Sequence, residues 1–336
     1  TCAVSLSGGG VTMAFLQIIT DNILPLLVFV AIGYLMDKKY HLDVGSLTKL
    51  TFYIILPCFI FYSINIADID FRLFHVFLIA LALMATLGII GTVIAKVLGW
   101  DPSKREAFKN GTMFSNAGNI GIAVTALVFS NPPYGHGTVT PYLAEAAAVS
   151  TIVLVQMNMF LNTLGLYQAG KGSLSPHDAL MVVAHMPVIY TLTVAFTVKY
   201  FGWNISDTLI WPVLVNCSSG FIAIVMMALG MQIHRSTISF SDPASWLACF
   251  VRLIVAPLCA WILLRLWAVS GAPFSPVAAQ TIFIMSSVPA PVNSVLYAVE
   301  FHNHENLATE IVMMTTFLSC ITMTGVIFLA RILFPI

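Results

Sequence analysis

The chain reads as an all-α polytopic membrane protein, and three observations lead there. Hydrophobic residues make up 59% of it and charged residues only 8%, with a mean hydropathy of +0.94. Soluble domains run at about a quarter charged. Apolar runs of about 20 residues, the length a helix needs to cross hydrocarbon, recur along the whole sequence. Two of these runs are interrupted by helix-loosening residues at matching places in two halves of the chain. A membrane β-barrel is excluded, because its strands would alternate polar and apolar residues. The formal net charge is zero, so nothing points to nucleic acid.

Residues 1–12 (TCAVSLSGGGVT) read as a leader or expression scar, with Met13 as the natural start. Segment 1 runs from about Phe15 to Met36 and ends at the charged turn DKKYHLD. Segment 2 covers roughly Val44 to Ile66 with Pro57 inside it. Segment 3, about Leu73 to Leu98, is uniformly apolar apart from His75 and Lys96 near its ends. WDPSKRE then offers Asp101 and Pro102 as a helix start. Segment 4, about Phe108 to Phe129, is the first interrupted one, and NPPYGHGT after it is turn chemistry. Segment 5, about Pro141 to Tyr167, carries Glu145, Gln156, Asn158 and Asn162.

The second half keeps the same rhythm. Segments 6 and 7 span about Ala179 to Tyr200 and Asp207 to Met231. Segment 8 begins after Asp242-Pro243, reaches about Val269 and holds Arg252 and Pro257. Segment 9, about Pro276 to Glu300, is the second interrupted one, and segment 10 runs from about Asn306 to Leu333. The expectation is therefore ten crossings in two five-segment repeats, residues 13–167 and 179–336, joined by a linker at 168–178. Five is odd, so the repeats must lie inverted in the membrane. LAEAAAVST (Leu143 to Thr151) and LATEIVMMT (Leu307 to Thr315) echo each other loosely. With the N-terminus outside, nine basic residues collect at cytoplasmic ends and four at outer ends. That imbalance places both termini outside the cell membrane.

The interruptions carry the functional argument. NGTMFSNAGNIGIAV (Asn110 to Val124) holds Asn116, Gly118, Asn119 and Gly121 at membrane depth. SSVPAPVNSV (Ser286 to Val295) holds Pro289, Pro291 and Asn293. Hydrocarbon cannot satisfy a loosened backbone, so such chain survives only where protein or a wet cavity covers it. Paired interrupted segments are the best sequence pointer to a transporter's binding site.

At this point the chain resembles the auxin efflux carrier family, bacterial organic-acid permeases related to plant auxin carriers. The likeness covers nearly everything after Met13. It runs through LPLLVFVAIGYLMDKK (Leu24 to Lys39), LTKLTFYIILPCFIFYSI (Leu47 to Ile64), Asn116 with Gly121-Ile122, and Val288 to Thr322. One departure is Ala123, where the family usually has proline. The resemblance implies a fold like the sodium–bile acid symporters: a panel of segments 1, 2, 6 and 7, and a core of segments 3–5 and 8–10. It also implies elevator movement of the core, a homodimer through the panel, and small carboxylate substrates such as malate, malonate or an auxin-like acid.

Each candidate residue has two readings. Asn116, Asn119 and Asn293 either bind substrate or cap freed backbone groups. Gly121, Pro289 and Pro291 shape the crossing so that helix N-termini can offer N–H groups to an anion. Arg252, the one charged residue near the middle of a segment, needs a compensating partner. Candidates are a substrate carboxylate, or an internal partnership with Glu310 or Glu145; snorkelling is the third reading. Glu145 and Glu310 are either proton carriers or interfacial residues near a helix start. The five cysteines within apolar segments have no paired spacing, and His302 and His304 lack further ligands, so neither a disulfide nor a metal is expected. No catalytic motif or cofactor-binding loop occurs, and an enzyme is not expected. A secondary carrier for an organic anion leads. A sodium-coupled symporter of the bile-acid type and a non-transporting membrane sensor are the alternatives.

Overall fold

The structure is a computed structural model that describes residues 20–21, 24–66, 73–135, 139–170, 187–235 and 241–336. The proposed leader, most of the linker and the first parts of segments 1 and 6 lie outside these residues. The helices are α1 (Leu24–Tyr40), α2 (Val44–Leu50), α3 (Leu56–Ile66), α4 (Leu73–Val97), α5 (Pro102–Met113), α6 (Ile122–Ser130), α7 (Leu143–Phe160) and α8 (Leu166–Ala169). The second half adds α9 (Pro187–Tyr200), α10 (Trp211–Arg235), α11 (Pro243–Phe250), α12 (Ala256–Val269), α13 (Pro276–Ser286), α14 (Asn293–Glu300) and α15 (Glu305–Leu333). Among the described residues, six helical stretches are long and apolar enough to cross a membrane. This fits a multi-pass membrane protein.

Local chemistry sets the boundaries. α5, α11 and α13 each start with a capping oxygen followed by proline. Asp101 accepts from the Ser103 and Lys104 N–H groups, Asp242 from Ala244, and Ser275 from Ala278. Proline fits the first turn because its missing N–H would have had no intrahelical acceptor there. Inside a helix the same residue removes a bond and crowds the preceding turn. Pro57 and Pro257 sit in such positions, and each is preceded by a π-helical turn, Thr51–Ile55 and Val251–Val255. The wider turn takes up the mismatch without ending the helix.

α1 packs on α10, and α3 packs on both α9 and α10. α4 and α6 pack with α7, and α5 packs on α4 and α8, while α11 to α15 pack with one another and against α4, α5 and α7. The α1–α10 seam depends on two glycines. A Cβ at Gly33 would lie 2.0 Å from the Met227 carbonyl oxygen, and one at Gly230 would lie 1.9 Å from that of Val30. Small residues let helix backbones meet where lipid supplies no hydrophobic drive.

Beyond that seam, Asp37 just past the apolar run accepts from Arg235 at 2.7 and 3.0 Å and lies 2.8 Å from His234 Nδ1. α1 and α10 therefore run parallel. The Arg235 bond and then the His234 contact hold the Asp37 carboxyl well below the usual carboxylate range. A depressed native value means this tie stabilises fully above about pH 4 and is lost as pH falls further.

Further ties lie at two opposite ends. At the end of Asp37, Lys104 reaches Asp242, and Glu310 accepts from the Asp242 N–H and from Ser245. Asn303 meets Ser103 and the Ala169 carbonyl there too. At the other end, Glu145 accepts from Ser275, Lys199 donates to the Asn65 carbonyl, and Arg331 to that of Pro132.

Candidate functional site

The two interruptions meet. α5 stops at Met113, and residues 114–116 are not helical before a π-turn opens at Ala117. α13 stops at Ser286, and α14 begins only at Asn293. The Asn116 N–H donates to the Pro289 carbonyl at 2.8 Å, which joins the breaks directly. Gly121 makes that approach feasible, since a Cβ there would lie 2.8 Å from Met285 Sδ and 3.3 Å from Val288 Cγ2. Ala123 lies buried within α6, seven residues beyond the break, so asparagine and glycine open this helix without proline.

Asn116 is 6% exposed, and its Oδ1 accepts from the Asn119 N–H at 3.3 Å. Its Nδ2 has no partner among the described residues, and neither does the hydroxyl of buried Ser115. The capping reading thus accounts for one end of the amide and leaves the donor end open. Asn119 is half-buried in the same turn. Across the crossing, Pro291 O accepts from the Ser294 N–H, and Thr315 Oγ1 accepts from the Ala290 N–H at 3.1 Å. Asn293, partly buried, is the first residue of α14. Sequence reasoning passed over Ser115 and Thr315. Ser115 was readable as the neighbour of Asn116 in a loosened stretch, whereas Thr315 looked like any other helical threonine.

Arg252 is fully buried in the π-turn of the eighth segment. Its Nε donates to Val288 O at 2.8 Å, one terminal nitrogen to Ser286 O at 2.6 Å, and the other to Thr112 O at 3.2 Å. Thr112 is the penultimate residue of α5, and Ser286 closes α13. The guanidinium therefore sits on the carbonyl ends of both first half-helices, where helix dipoles are negative. Glu310 is engaged by Ser241, the Asp242 N–H and Ser245, and Glu145 by Ser275. Among the described residues no carboxylate pairs with Arg252.

A broken helix brings opposite partial charges to one place. Here Arg252 satisfies the carbonyl ends of α5 and α13. At the N-terminal ends the Asn119, Ser294 and Val295 N–H groups are taken by Asn116 Oδ1 and the Pro291 and Val292 carbonyls, which leaves those of Ala117, Gly118 and Asn293 with no intrahelical acceptor. With Ser115 Oγ and Asn116 Nδ2 they form a donor-rich patch suited to an anion. Beside it a cavity of about 90 Å³ separates α1 and α10 from the 117–124 stretch and α15. Its lining is mostly apolar, with Val30, Val124 and Met226 among the walls and the Thr316 and Ser319 hydroxyls at one side. Among the described residues no cluster of three potential metal ligands occurs.

A family model described as a membrane transport protein matches residues 18–327. No curated protein matches the chain.

Proposed function

Because the chain belongs to the auxin efflux carrier family of membrane transport proteins, we propose that it is a secondary carrier that binds a small organic anion where its two interrupted helices cross. The observation that carries this reading is the buried Asn116 Nδ2, without a partner at the point where the breaks meet. A buried donor left unmade costs about 1–3 kcal/mol, and a substrate carboxylate would relieve that cost. Ser115, Asn119, Asn293 and the half-helix N–H groups would complete the cradle. Gly121, Pro289 and Pro291 shape it. Arg252 contributes its charge from behind, with its fork held by the carbonyls it neutralises.

The ten-crossing, inverted-repeat path is part of the proposal. It is supported by the parallel run of α1 and α10, because segments 1 and 7 are both odd-numbered. The end contacts also sort as that path requires, with the starts of segments 4, 8 and 10 tied to one another and to the end of segment 5, and the ends of segments 1 and 7 tied to each other. The basic residues cluster at the Asp37 end, which sets it in the cytoplasm. Movement of the α4–α8 and α11–α15 core against a panel of α1–α3, α9 and α10, and a homodimer through that panel, follow from the family likeness. The substrate class is a small mono- or dicarboxylate.

Uptake of radiolabelled carboxylates by proteoliposomes, under imposed proton or sodium gradients, tests the reading. A substrate found this way should lose about tenfold or more in affinity in a folded Asn116→Ala protein, as expected for one hydrogen bond to a charged group. Unchanged affinity there would remove the crossing from the binding site.

A further inference from the structure

At the cytoplasmic end, away from the crossing, a cavity of about 360 Å³ opens between the first two turns of α5 and the end of the fifth segment. Arg105, Glu106 and Lys109 line one side, and Tyr167 and Gln168 line the other. Glu106 lies between the two cations, accepting from Arg105 Nε at 2.7 Å and from Lys109 Nζ at 2.8 Å. Two cations against one carboxylate leave that wall net positive. Both terminal nitrogens of Arg105 are without an acceptor among the described residues.

Gln168 adds an independent demand. Its side chain is 6% exposed, its Nε2 lies 3.9 Å from Met113 Sδ, and its Oε1 has no partner among the described residues. A buried amide oxygen keeps its desolvation penalty until something donates to it. The ligand this cavity fits therefore carries an anion for Arg105 and Lys109 and, once the covered Gln168 amide turns into the cavity, a hydroxyl for its Oε1. The rim is prebuilt, because Asn303 joins Ser103 on α5 to the Ala169 carbonyl beyond Gln168.

Position narrows the source of such a ligand. Trp100 precedes the Asp101 cap of α5, with Lys104 Nζ 5.1 Å from its ring centre, and Tyr167 is 40% exposed across the cavity. Aromatic residues with basic neighbours mark the level of lipid headgroups. Lys109, eight residues from the helix cap, lies about 12 Å along the axis at ~1.5 Å per residue, near where headgroups give way to hydrocarbon. We infer that this cavity binds the headgroup of a hydroxyl-bearing anionic phospholipid, a phosphoglycerol in chemistry. Its phosphate meets Arg105 and Lys109, and its glycerol hydroxyl meets Gln168. The inference does not depend on what crosses the membrane at the helix crossing.

Native mass spectrometry of the full chain tests it, titrating phosphatidylglycerol, phosphatidylcholine of the same tails, and tail-free glycerol 3-phosphate. Phosphatidylglycerol should be retained at least about tenfold more tightly than phosphatidylcholine, and Arg105→Gln should remove about tenfold of its affinity. Glu106→Gln frees both cations and should tighten binding, a direction that a merely structural role would not give. Gln168→Leu should weaken phosphatidylglycerol more than phosphatidic acid, which lacks the hydroxyl. Equal retention of the two phospholipids, or weaker binding in a folded Glu106→Gln protein, overturns the site. Glycerol 3-phosphate binding as tightly as the lipid overturns the membrane source.

Discussion

In the proposed anion site Arg252 would serve the anion without gripping it. Its guanidinium holds three carbonyls from the ends of two half-helices, so its loss would orphan acceptors on both. Each orphaned buried carbonyl costs about 1–3 kcal/mol, which makes Arg252→Met a severe folding lesion. Arg252→Lys keeps the charge but cannot span three acceptors with the planar fork. Thermal unfolding without substrate should drop by several degrees in Arg252→Lys and further in Arg252→Met. An unshifted melting temperature in Arg252→Lys would argue against the carbonyl-holding role. Glu145 and Glu310 test coupling at the same scale. Each accepts hydrogen bonds at the start of a neighbouring segment, Ser275 at one end of the molecule and Asp242–Ser245 at the other. If either carries the coupled proton, its Gln variant should keep substrate exchange and lose acceleration by an imposed pH gradient. Gradient dependence that survives both substitutions assigns them to helix-start bonding. The sequence marks Arg252 as costly at its depth and these carboxylates as lying near helix starts. It cannot mark their partners, because backbone carbonyls and N–H groups carry no residue signature.

Among elements, the interrupted helices were the most legible feature, and the reason is steric. Asn116, Gly118 and Gly121 in an apolar run, and Pro289 with Pro291 in another, conflict with a continuous helix whatever surrounds them. The contact of Asn116 with Pro289 was not legible, since it joins positions 173 residues apart in sequence through backbone atoms. The cavity of Arg105, Lys109 and Gln168 was likewise hidden, its cations counting in sequence only toward sidedness. Glycines separate further by what they face. At Gly121 an added Cβ meets the tip of Met285, a flexible side chain that can swing aside. At Gly230 it meets a backbone carbonyl at 1.9 Å, which cannot move without parting α1 from α10. Gly230→Ala should therefore lower the yield of folded protein sharply, while Gly121→Ala folds and binds substrate more weakly. Comparing detergent-solubilised monodisperse yield with ligand affinity separates the two outcomes. Equal yields would mean that the α1–α10 seam tolerates a wider spacing than its geometry allows.

On the scale of the whole molecule, the proposed elevator movement would slide one body past another over a surface that offers little resistance. The surface between α1 and α10 on one side and the 117–124 stretch and α15 on the other has that character. Its cavity is lined chiefly by Leu, Val, Ile and Met, and the Thr316 and Ser319 hydroxyls donate to carbonyls of their own helix. Among the described residues no hydrogen bond joins the cavity-lining side chains across it, and at one end of the molecule the bodies are tied by Asn131 Nδ2, which donates to the Asp21 carbonyl at 2.7 Å. The cavity itself is unfilled space of about 90 Å³, so contacts are incomplete before any movement begins. Filling it should fix the bodies in register. Val124 is 1% exposed and lines the cavity from the α6 side, facing Val30 and Met226 across it. Val124→Phe places a ring in that space, and overpacking of this kind typically costs about 1–3 kcal/mol if the walls must shift. In the proposed sliding mechanism the substitution should slow net uptake at least about tenfold, since a barrier raised by ~1.4 kcal/mol is a tenfold loss of rate. Equilibrium affinity should change far less, because the donors at Ser115 and Asn116 lie in the break itself, nine and eight residues before Val124. Uptake and binding measured on the same reconstituted Val124→Phe protein distinguish the cases. Parallel losses in both would mean that the ring distorts the crossing, and unchanged uptake would mean that the two bodies do not slide along this surface.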